Sequence, residues 1–194
     1  MGHSQADKQK THDRIVEIAS RRLREKGLEG VGVADLMKEA GLTVGGFYKH
    51  FGSRDDMVAE AMEVAYGDWE AKSRKRGKAP SDISFTDYAA EYLSLDHRQD
   101  TAGGCPFAAL TADLARGNEK SRTHATDRVK GNLKKMATRM AARDEEEARR
   151  KAMIVSCLMT GAVGLSRISN DEAFAAEILD TVREFVGDFA MNSK

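Results

Sequence analysis

The segment from Val31 to Asp56 constrains the fold of this chain more than any other stretch. It reads VGVADLMKEAGLTVGGFYKHFGSRDD, in which a short amphipathic pattern, a Gly-containing turn and a second short pattern follow one another. Apolar residues recur at helical spacing in the first pattern, and two phenylalanines lie four residues apart in the second. The sequence therefore predicts helices over Val33–Ala40 and Val44–Phe51. Two short helices joined by such a turn form a helix-turn-helix, whose second helix can enter the major groove of DNA.

The side chains of this motif that do not belong to its small core suit contact with DNA. Gly45 and Gly46 cost about 1 kcal/mol each relative to Ala inside a helix, but they let the backbone approach a base edge or a phosphate. Thr43 occupies a predicted N-cap, where free N–H groups attract phosphate. The alternative is that the aromatic and imidazole side chains only cover the core and that the lysine is a solvated charge. The predicted DNA-contacting residues are Thr43, Val44, Gly45, Gly46, Tyr48, Lys49, His50 and Arg54.

The string AGLTVGGFYKHFGSRDDMVAEAM resembles the DNA-binding domain of the TetR family of bacterial repressors. The family pattern is a small residue, Gly, an apolar residue and a polar residue, followed after a few variable positions by aromatic-x-His-Phe and Ser-Lys/Arg-acid. Gly32 at the first N-cap, where the family often has Ser or Thr, and Met37, where it usually has Ala, depart from the pattern and affect only fine geometry. The matching residues are Ala40, Gly41, Leu42, Phe47, Tyr48, His50, Phe51, Ser53, Arg54 and Asp55.

The resemblance implies an all-α fold with an N-terminal three-helix DNA-binding domain and a six-helix C-terminal domain for ligand binding and dimerisation. The expected domains are residues 7–52, extending into a helix at 53–76, and residues 77–194. The implied function is that of a homodimeric transcriptional regulator of double-stranded operator DNA, a repressor released by an unidentified small-molecule effector. The alternative is a helical effector-binding or thiol-sensing protein with a vestigial helix-turn-helix. Retention of the polar residues of the second helix argues against that alternative.

Composition limits the possible fold and location of the chain but does not identify its partner. Its 194 residues can bury a substantial core, and sustained helical periodicity without alternating runs predicts an all-α protein. The net charge is zero, with 31 basic and 31 acidic residues, so DNA binding would depend on the placement of a few residues. We expect no membrane partner, because no apolar stretch approaches the ~18–20 residues that span a bilayer. The polar start without a signal peptide and the two dissimilar cysteines predict a cytoplasmic protein.

The last two predicted helices indicate dimerisation. The first of them is apolar around much of its circumference, beyond the single stripe that a surface helix of a monomer needs. The alternative is a wide core face within one chain. The predicted interface residues are Leu158, Ala162, Leu165, Val182, Phe185 and Phe189. The nine predicted helices are 7–26, 33–40, 44–51, 53–75, 85–95, 106–117, 119–143, 145–168 and 171–191, with loops at 73–81 and 96–104.

Cys105 lies between Gly104 and Pro106 and immediately precedes a predicted helix. Free N–H groups and the helix dipole stabilise a thiolate there, which raises a redox-sensing role for Cys105. The alternative is that Cys105 fills a gap at the loop, and Cys157, in the middle of a helix, is expected to be packed. Aromatic and methionine residues of the middle helices are candidates to line an effector cavity, although most such residues are core. These candidates are Trp69, Tyr88, Tyr92, Phe107, Met136 and Met140.

Nothing in the sequence indicates catalysis or a cofactor. The histidines have no partners at metal-ligand spacing. A nucleophile elbow, a phosphate-cradling Gly loop and an HExxH motif are all absent. The sequence therefore predicts a protein without a metal, a cofactor or an enzymatic activity.

Overall fold

The computed structural model of the chain describes residues 5–74 and 83–192, and it is 79% helical with no strand among those residues. The all-α prediction is confirmed. Within the described residues there are nine α-helices and one 3₁₀ helix. They are α1 (Gln5–Lys26), α2 (Val33–Glu39), the 3₁₀ helix (Val44–Lys49), α3 (Arg54–Arg74), α4 (Phe85–Tyr92), α5 (Leu95–Gln99), α6 (Pro106–Arg116), α7 (Glu119–Ala137), α8 (Glu145–Ile168) and α9 (Glu172–Met191).

The helix predicted over 85–95 is in fact two helices. Leu93 leaves the helical conformation, with φ −97° and ψ 48°. The hydroxyl of Ser94 then accepts the backbone N–H of His97 at 3.1 Å. Because a side-chain cap of this kind starts a new helix, α5 occupies part of the predicted loop 96–104.

The helix predicted over 119–143 ends early because the backbone that follows α7 bonds elsewhere. The N–H of Ala141 donates to the carbonyl of Ala190 at 2.9 Å. The buried ammonium of Lys151 donates to the carbonyl of Ala141 at 2.6 Å and to that of Asn192 at 2.5 Å. These are tertiary contacts, and periodicity along the sequence carries no sign of them.

The chain forms two compact units. The first consists of Met1–Ala71 and Thr101–Leu114, and the second of Lys72–Asp100 and Ala115–Lys194. The division expected at residue 77 differs from this in two respects, because the second unit already begins at Lys72 and most of α6 groups with the N-terminal helices.

A buried arginine explains why the start of α6 groups with α1. The guanidinium of Arg24 donates to the carbonyl of Gly104 at 3.2 Å and to the carboxylate of Asp68 at 3.1 Å. The ring of Phe107 on α6 packs 5.1 Å from the ring of Tyr66 on α3. A polar anchor and an aromatic contact therefore hold the start of α6 within the first unit.

In the second unit, α8 and α9 are the principal packed pair, with α7 against α8 and α4 against α9. Two arginines fasten α5 to the end of α8. The guanidinium of Arg98 donates to the carbonyl of Ser166 at 2.9 Å, and that of Arg167 donates to the carbonyl of His97 at 2.8 Å. The fully buried apolar side chains of α8 and α9 include Val155, Met159, Val163, Leu179 and Val186.

Of the helices among the described residues, α8 alone is long and apolar enough to cross a membrane by length and composition. This corrects the expectation that no stretch approaches that length. The helix begins with Glu145–Glu147, and its buried side forms the core of the second unit. Packing within the protein therefore accounts for part of its apolar content.

Candidate nucleic-acid interface

A glycine fixes the turn of the predicted helix-turn-helix. Gly41 has φ +69°, a left-handed conformation that residues with a side chain rarely adopt. Its N–H donates to the carbonyl of Lys38 at 3.0 Å, and the N–H of Leu42 donates to that of Met37 at 2.8 Å. This pair of bonds is the Schellman motif, which ends α2 and turns the chain.

An aromatic core supports the residues after the turn. Phe47 and Phe51 are buried, and their ring centroids lie 5.2 Å apart. His12 of α1 stacks on Phe51 at 4.6 Å, and its Nε2 lies 2.6 Å from a carboxylate oxygen of Glu60. Both α1 and α3 therefore hold the residues after the turn in place. His12 was not among the predicted site residues, because no short motif links it to the others.

The second helix of the motif differs from its prediction in type and length. It is a 3₁₀ helix over Val44–Lys49 instead of a helix over 44–51, and the N–H of Gly46 donates to the carbonyl of Thr43 at 2.9 Å. Thr43 occupies the N-cap with an extended backbone, but its side chain makes no capping bond. Adjacent glycines have low helix propensity, and 3₁₀ geometry is common in short pieces.

Seven of the predicted DNA-contacting residues lie together on the turn, the 3₁₀ helix and its C-cap. Tyr48 is 77% exposed, and Thr43, Val44, Gly45 and Lys49 are also exposed. A Cβ added at Gly45 would meet no atom of the protein within 4 Å. The fold therefore leaves open space around Gly45, and the glycine is not needed for internal packing.

Arg54, the eighth predicted contact, is tied to its own chain. Its guanidinium donates to the carbonyl of Leu28 and lies 3.9 Å from a carboxylate oxygen of Glu29. The hydroxyl of the neighbouring Ser53 accepts the backbone N–H of Asp56 at 3.1 Å and so caps the start of α3. Arg54 therefore secures the segment that precedes α2.

His50 follows the 3₁₀ helix and is half-buried. Its Nδ1 is enclosed and has no hydrogen-bond partner. Burial lowers the pKa of His50, and coulombic interactions with His12, Lys8 and Lys49 lower it further. This environment disfavours the imidazolium form.

The two cysteines differ in their exposure. Cys105 is 5% exposed, whereas Cys157 is exposed on α8, and neither forms a disulfide within the described part of the chain. The expectation that Cys157 is packed was wrong, because a position in the middle of a helix does not tell which side faces the core. The exposed side of α8 also carries Ile154 and Leu165.

The candidate effector residues are divided between the units, with Trp69 and Phe107 in the first and Tyr88, Tyr92, Met136 and Met140 in the second. In the second unit, the Tyr88 and Tyr92 rings lie 5.9 Å apart, and the guanidinium of Arg139 lies 5.2 Å from the Tyr88 ring centroid. A surface cleft of about 800 Å³ lies between the start of α8 and the end of α9. None of the six candidates lines that cleft, so the effector pocket stays a prediction.

The predicted interface residues of α8 and α9 differ in exposure. Phe185 is 54% exposed and Leu165 is also exposed, whereas Leu158, Val182 and Phe189 are half-buried. Ala162 is only 3% exposed and packs within the protomer, which removes it from an outer face. The predicted interface set leaves out the exposed apolar residues Ile154, Ile168, Phe174 and Met191 of these two helices.

An all-α chain with an exposed short helix after a Schellman-terminated helix has the architecture of a helix-turn-helix DNA-binding protein. Residues 15–61 match the family model described as bacterial regulatory proteins, tetR family. Residues 15–61 therefore form a DNA-binding domain of the tetR family, which supports a DNA-binding transcriptional regulator and not an enzyme.

Similar proteins agree with this assignment. The chain is 25% identical over 172 residues to the uncharacterised HTH-type transcriptional regulator Rv0196 of Mycobacterium tuberculosis, covering 82% of this chain and 85% of the relative. It is 35% identical over 60 residues to the HTH-type transcriptional regulator PksA of Bacillus subtilis, covering 31% and 29%. A TetR-family regulator from Cytophaga hutchinsonii has the same fold, with a TM-score of 0.76 at 20% identity, over 99% of this chain and 100% of that one.

Proposed function

We propose that this protein is a cytoplasmic homodimeric repressor that binds a double-stranded operator and is released by a small-molecule effector. In this proposal the first unit contacts DNA through the turn and the 3₁₀ helix. The second unit dimerises through α8 and α9 and binds the effector.

The observation that carries the proposal is the open glycine beside an exposed tyrosine. Gly45 has no atom of the protein near its missing side chain, and Tyr48 projects into solvent from the same short helix. Glycine is unfavourable in a helix, so on the exposed surface that also carries Tyr48 we infer a reason outside the protein for the missing side chain. Close approach of the backbone to DNA provides that reason, and the Tyr48 hydroxyl and the Lys49 ammonium can donate to phosphate oxygens.

Dimerisation is supported by the apolar face of the last two helices. Monomeric proteins rarely leave a large contiguous apolar patch in solvent. Ile168 is 81% exposed and Phe185 is 54% exposed, and Ile154, Leu165 and Phe174 add to the apolar area. A symmetric dimer would cover this face and present two 3₁₀ helices to successive turns of the duplex, about 34 Å apart.

The test begins with a duplex selected by the wild-type protein from a random-sequence pool. Gly45→Leu is then compared with wild type for its affinity for that duplex and for its thermal unfolding. We expect affinity to fall by about 100-fold or more, since a side chain there displaces the backbone from the DNA. The unfolding temperature should change little, because the added side chain meets open space.

Gly67→Leu is the matched control. Gly67 lies on α3 in the same unit, and a Cβ added there also meets no atom within 4 Å. This variant should bind the duplex as tightly as wild type. Equal affinities of Gly45→Leu and wild type, or failure of the selection to enrich any sequence, would contradict the proposed interface. Transcription from a promoter carrying the selected site should rise when the gene is deleted, and an unchanged or lower level would exclude the repressor role.

A further inference from the structure

His50 stands out because one of its ring nitrogens is enclosed and because the titratable groups that face it are all basic. Its Nδ1 is buried without a hydrogen-bond partner. The charged and titratable groups that face it are Lys8 and His12 from α1 and Lys49 from its own segment. The His12 ring centroid lies 6.0 Å from that of His50, and the carboxylate of Glu60 on α3 is engaged with His12 at 2.6 Å.

A protonated His50 would be costly in this position. An imidazolium carries N–H groups on both nitrogens, and its Nδ1–H would be enclosed without an acceptor. A buried donor without a partner carries a desolvation cost, and the surrounding positive charges add repulsion. The neutral tautomer with the proton on Nε2 avoids both costs. Its Nδ1 is then an unprotonated nitrogen in an enclosed site, and its Nε2–H is the group left to meet a ligand.

We propose that His50 contacts an operator phosphate as a neutral imidazole, donating from Nε2–H while its unprotonated Nδ1 stays enclosed. The contact then contributes a hydrogen bond but no charge. Lys49, the adjacent exposed residue, supplies charge to the same surface. This inference rests on the proposed DNA-binding function and adds to it a division between a charged and an uncharged phosphate contact.

The proposal predicts different salt dependences for the two neighbours. Each charged phosphate contact releases counterions and adds about 0.9 to the slope of log affinity against log salt, whereas a neutral donor adds nothing. With the selected duplex as probe, Lys49→Gln removes one charged contact from each protomer of the dimer and should lower the slope by about two. His50→Leu should weaken binding about tenfold with the slope unchanged, since a hydrogen bond is lost without a charge. His50→Gln keeps an N–H donor and should restore much of the affinity.

The protonation state is measured separately by ¹⁵N NMR of the imidazoles. The chain has five histidines, so the spectrum is simple, and His50→Gln assigns the signal. Between pH 6.5 and 8, wild-type His50 should show a protonated Nε2 and an unprotonated Nδ1 both with and without DNA. Wild type and His50→Gln should also share the same pH dependence of affinity.

A smaller salt slope in His50→Leu would overturn the proposal. So would an imidazolium signal in the complex, or a pH dependence that His50→Gln abolishes. If His50→Leu does not fold, the NMR tautomer and the His50→Gln comparison still decide the question. Failure of the selection to yield any duplex would instead contradict the underlying DNA-binding function.

Discussion

The outer side of the 3₁₀ helix and the outer side of α8 and α9 both leave large side chains in solvent, but their chemistry differs. The first surface combines backbone exposed at Gly45 with the hydroxyl of Tyr48 and the ammonium of Lys49. The second presents hydrocarbon side chains such as those of Ile168 and Phe185. The hydrogen-bond donors of the first surface suit contact with phosphate oxygens. The hydrocarbon side chains of the second surface suit contact with another apolar surface. Exposure alone therefore does not identify a partner, whereas the groups exposed do.

The largest expected effect comes from placing a charge on the apolar face. Phe185→Asp should raise the dimer dissociation constant about 100-fold or more, because a carboxylate must be desolvated at the interface. Affinity for a two-half-site duplex should fall with it, since the second half-site is no longer engaged intramolecularly. Light scattering and DNA titration measure the two effects.

The control for that variant is Val129→Asp, which changes an exposed apolar residue of α7 in the same unit. It should remain dimeric and bind DNA normally. A folded wild-type monomer at micromolar concentration would contradict the role assigned to the α8–α9 face.

The pH dependence of unfolding reports on the stability of the second unit separately from its dimerisation. Burial lowers the pKa of His97 to about 4, and its Nδ1 lies 2.6 Å from the carbonyl of Tyr92. In the unfolded chain His97 binds a proton near pH 6.5, whereas in the folded chain it stays neutral down to about pH 4. The free energy of unfolding therefore falls as the pH drops from about 6.5 to 4. The total is up to about 3 kcal/mol at pH 4. Denaturant unfolding of wild type and His97→Gln across this range should show that loss only in wild type, and parallel curves would contradict it.

The sequence predicted most of the helices and the location of the DNA-binding motif because those signals are local. Caps, Gly41 and the four-residue spacing of Phe47 and Phe51 all act over a few residues. The prediction failed where distant groups decide the backbone. The end of α7 depends on Lys151, which lies 10 residues beyond Ala141, and on Ala190, which lies far along the chain.

The site shows the same limit of local signals. Arg54 fits the motif by spacing, but the structure gives its guanidinium a carbonyl acceptor in the loop before α2. His12 contacts the motif through Phe51 and Glu60, neither of which is near it in the sequence. Exposure along α8 was predicted poorly at Ala162 and Cys157, because a helix that is apolar on most sides does not reveal which side is covered.

Arg54→Ala is expected to have a smaller effect than the substitutions above. It tests whether Arg54 belongs to the polar surface that contacts DNA. The carbonyl of Leu28 would lose a charge-assisted donor, and we expect the free energy of unfolding to fall by about 1–2 kcal/mol. Denaturant unfolding measures this change. The salt slope of DNA binding should stay near that of wild type, in contrast to Lys49→Ala. A slope reduced by about two, one for each protomer of the dimer, with unchanged stability would show that Arg54 is a phosphate contact and not an internal anchor.

The smallest perturbation is labelling of the two native thiols, and it tests the apolar face without a substitution. Cys157 is exposed in the protomer and lies on the side of α8 that carries Ile154, whereas Cys105 is buried in the first unit. In the monomeric Phe185→Asp variant, Cys157 should react with a maleimide roughly tenfold or more faster than Cys105, which reacts only after local opening.

In the wild-type dimer the partner should cover Cys157 and slow its reaction, while the rate at Cys105 stays the same. Mass spectrometry of quenched samples gives both rates. Rapid labelling of Cys157 in a wild-type dimer would place the interface on another side of α8, and faster labelling of Cys105 would restore it as the candidate sensor.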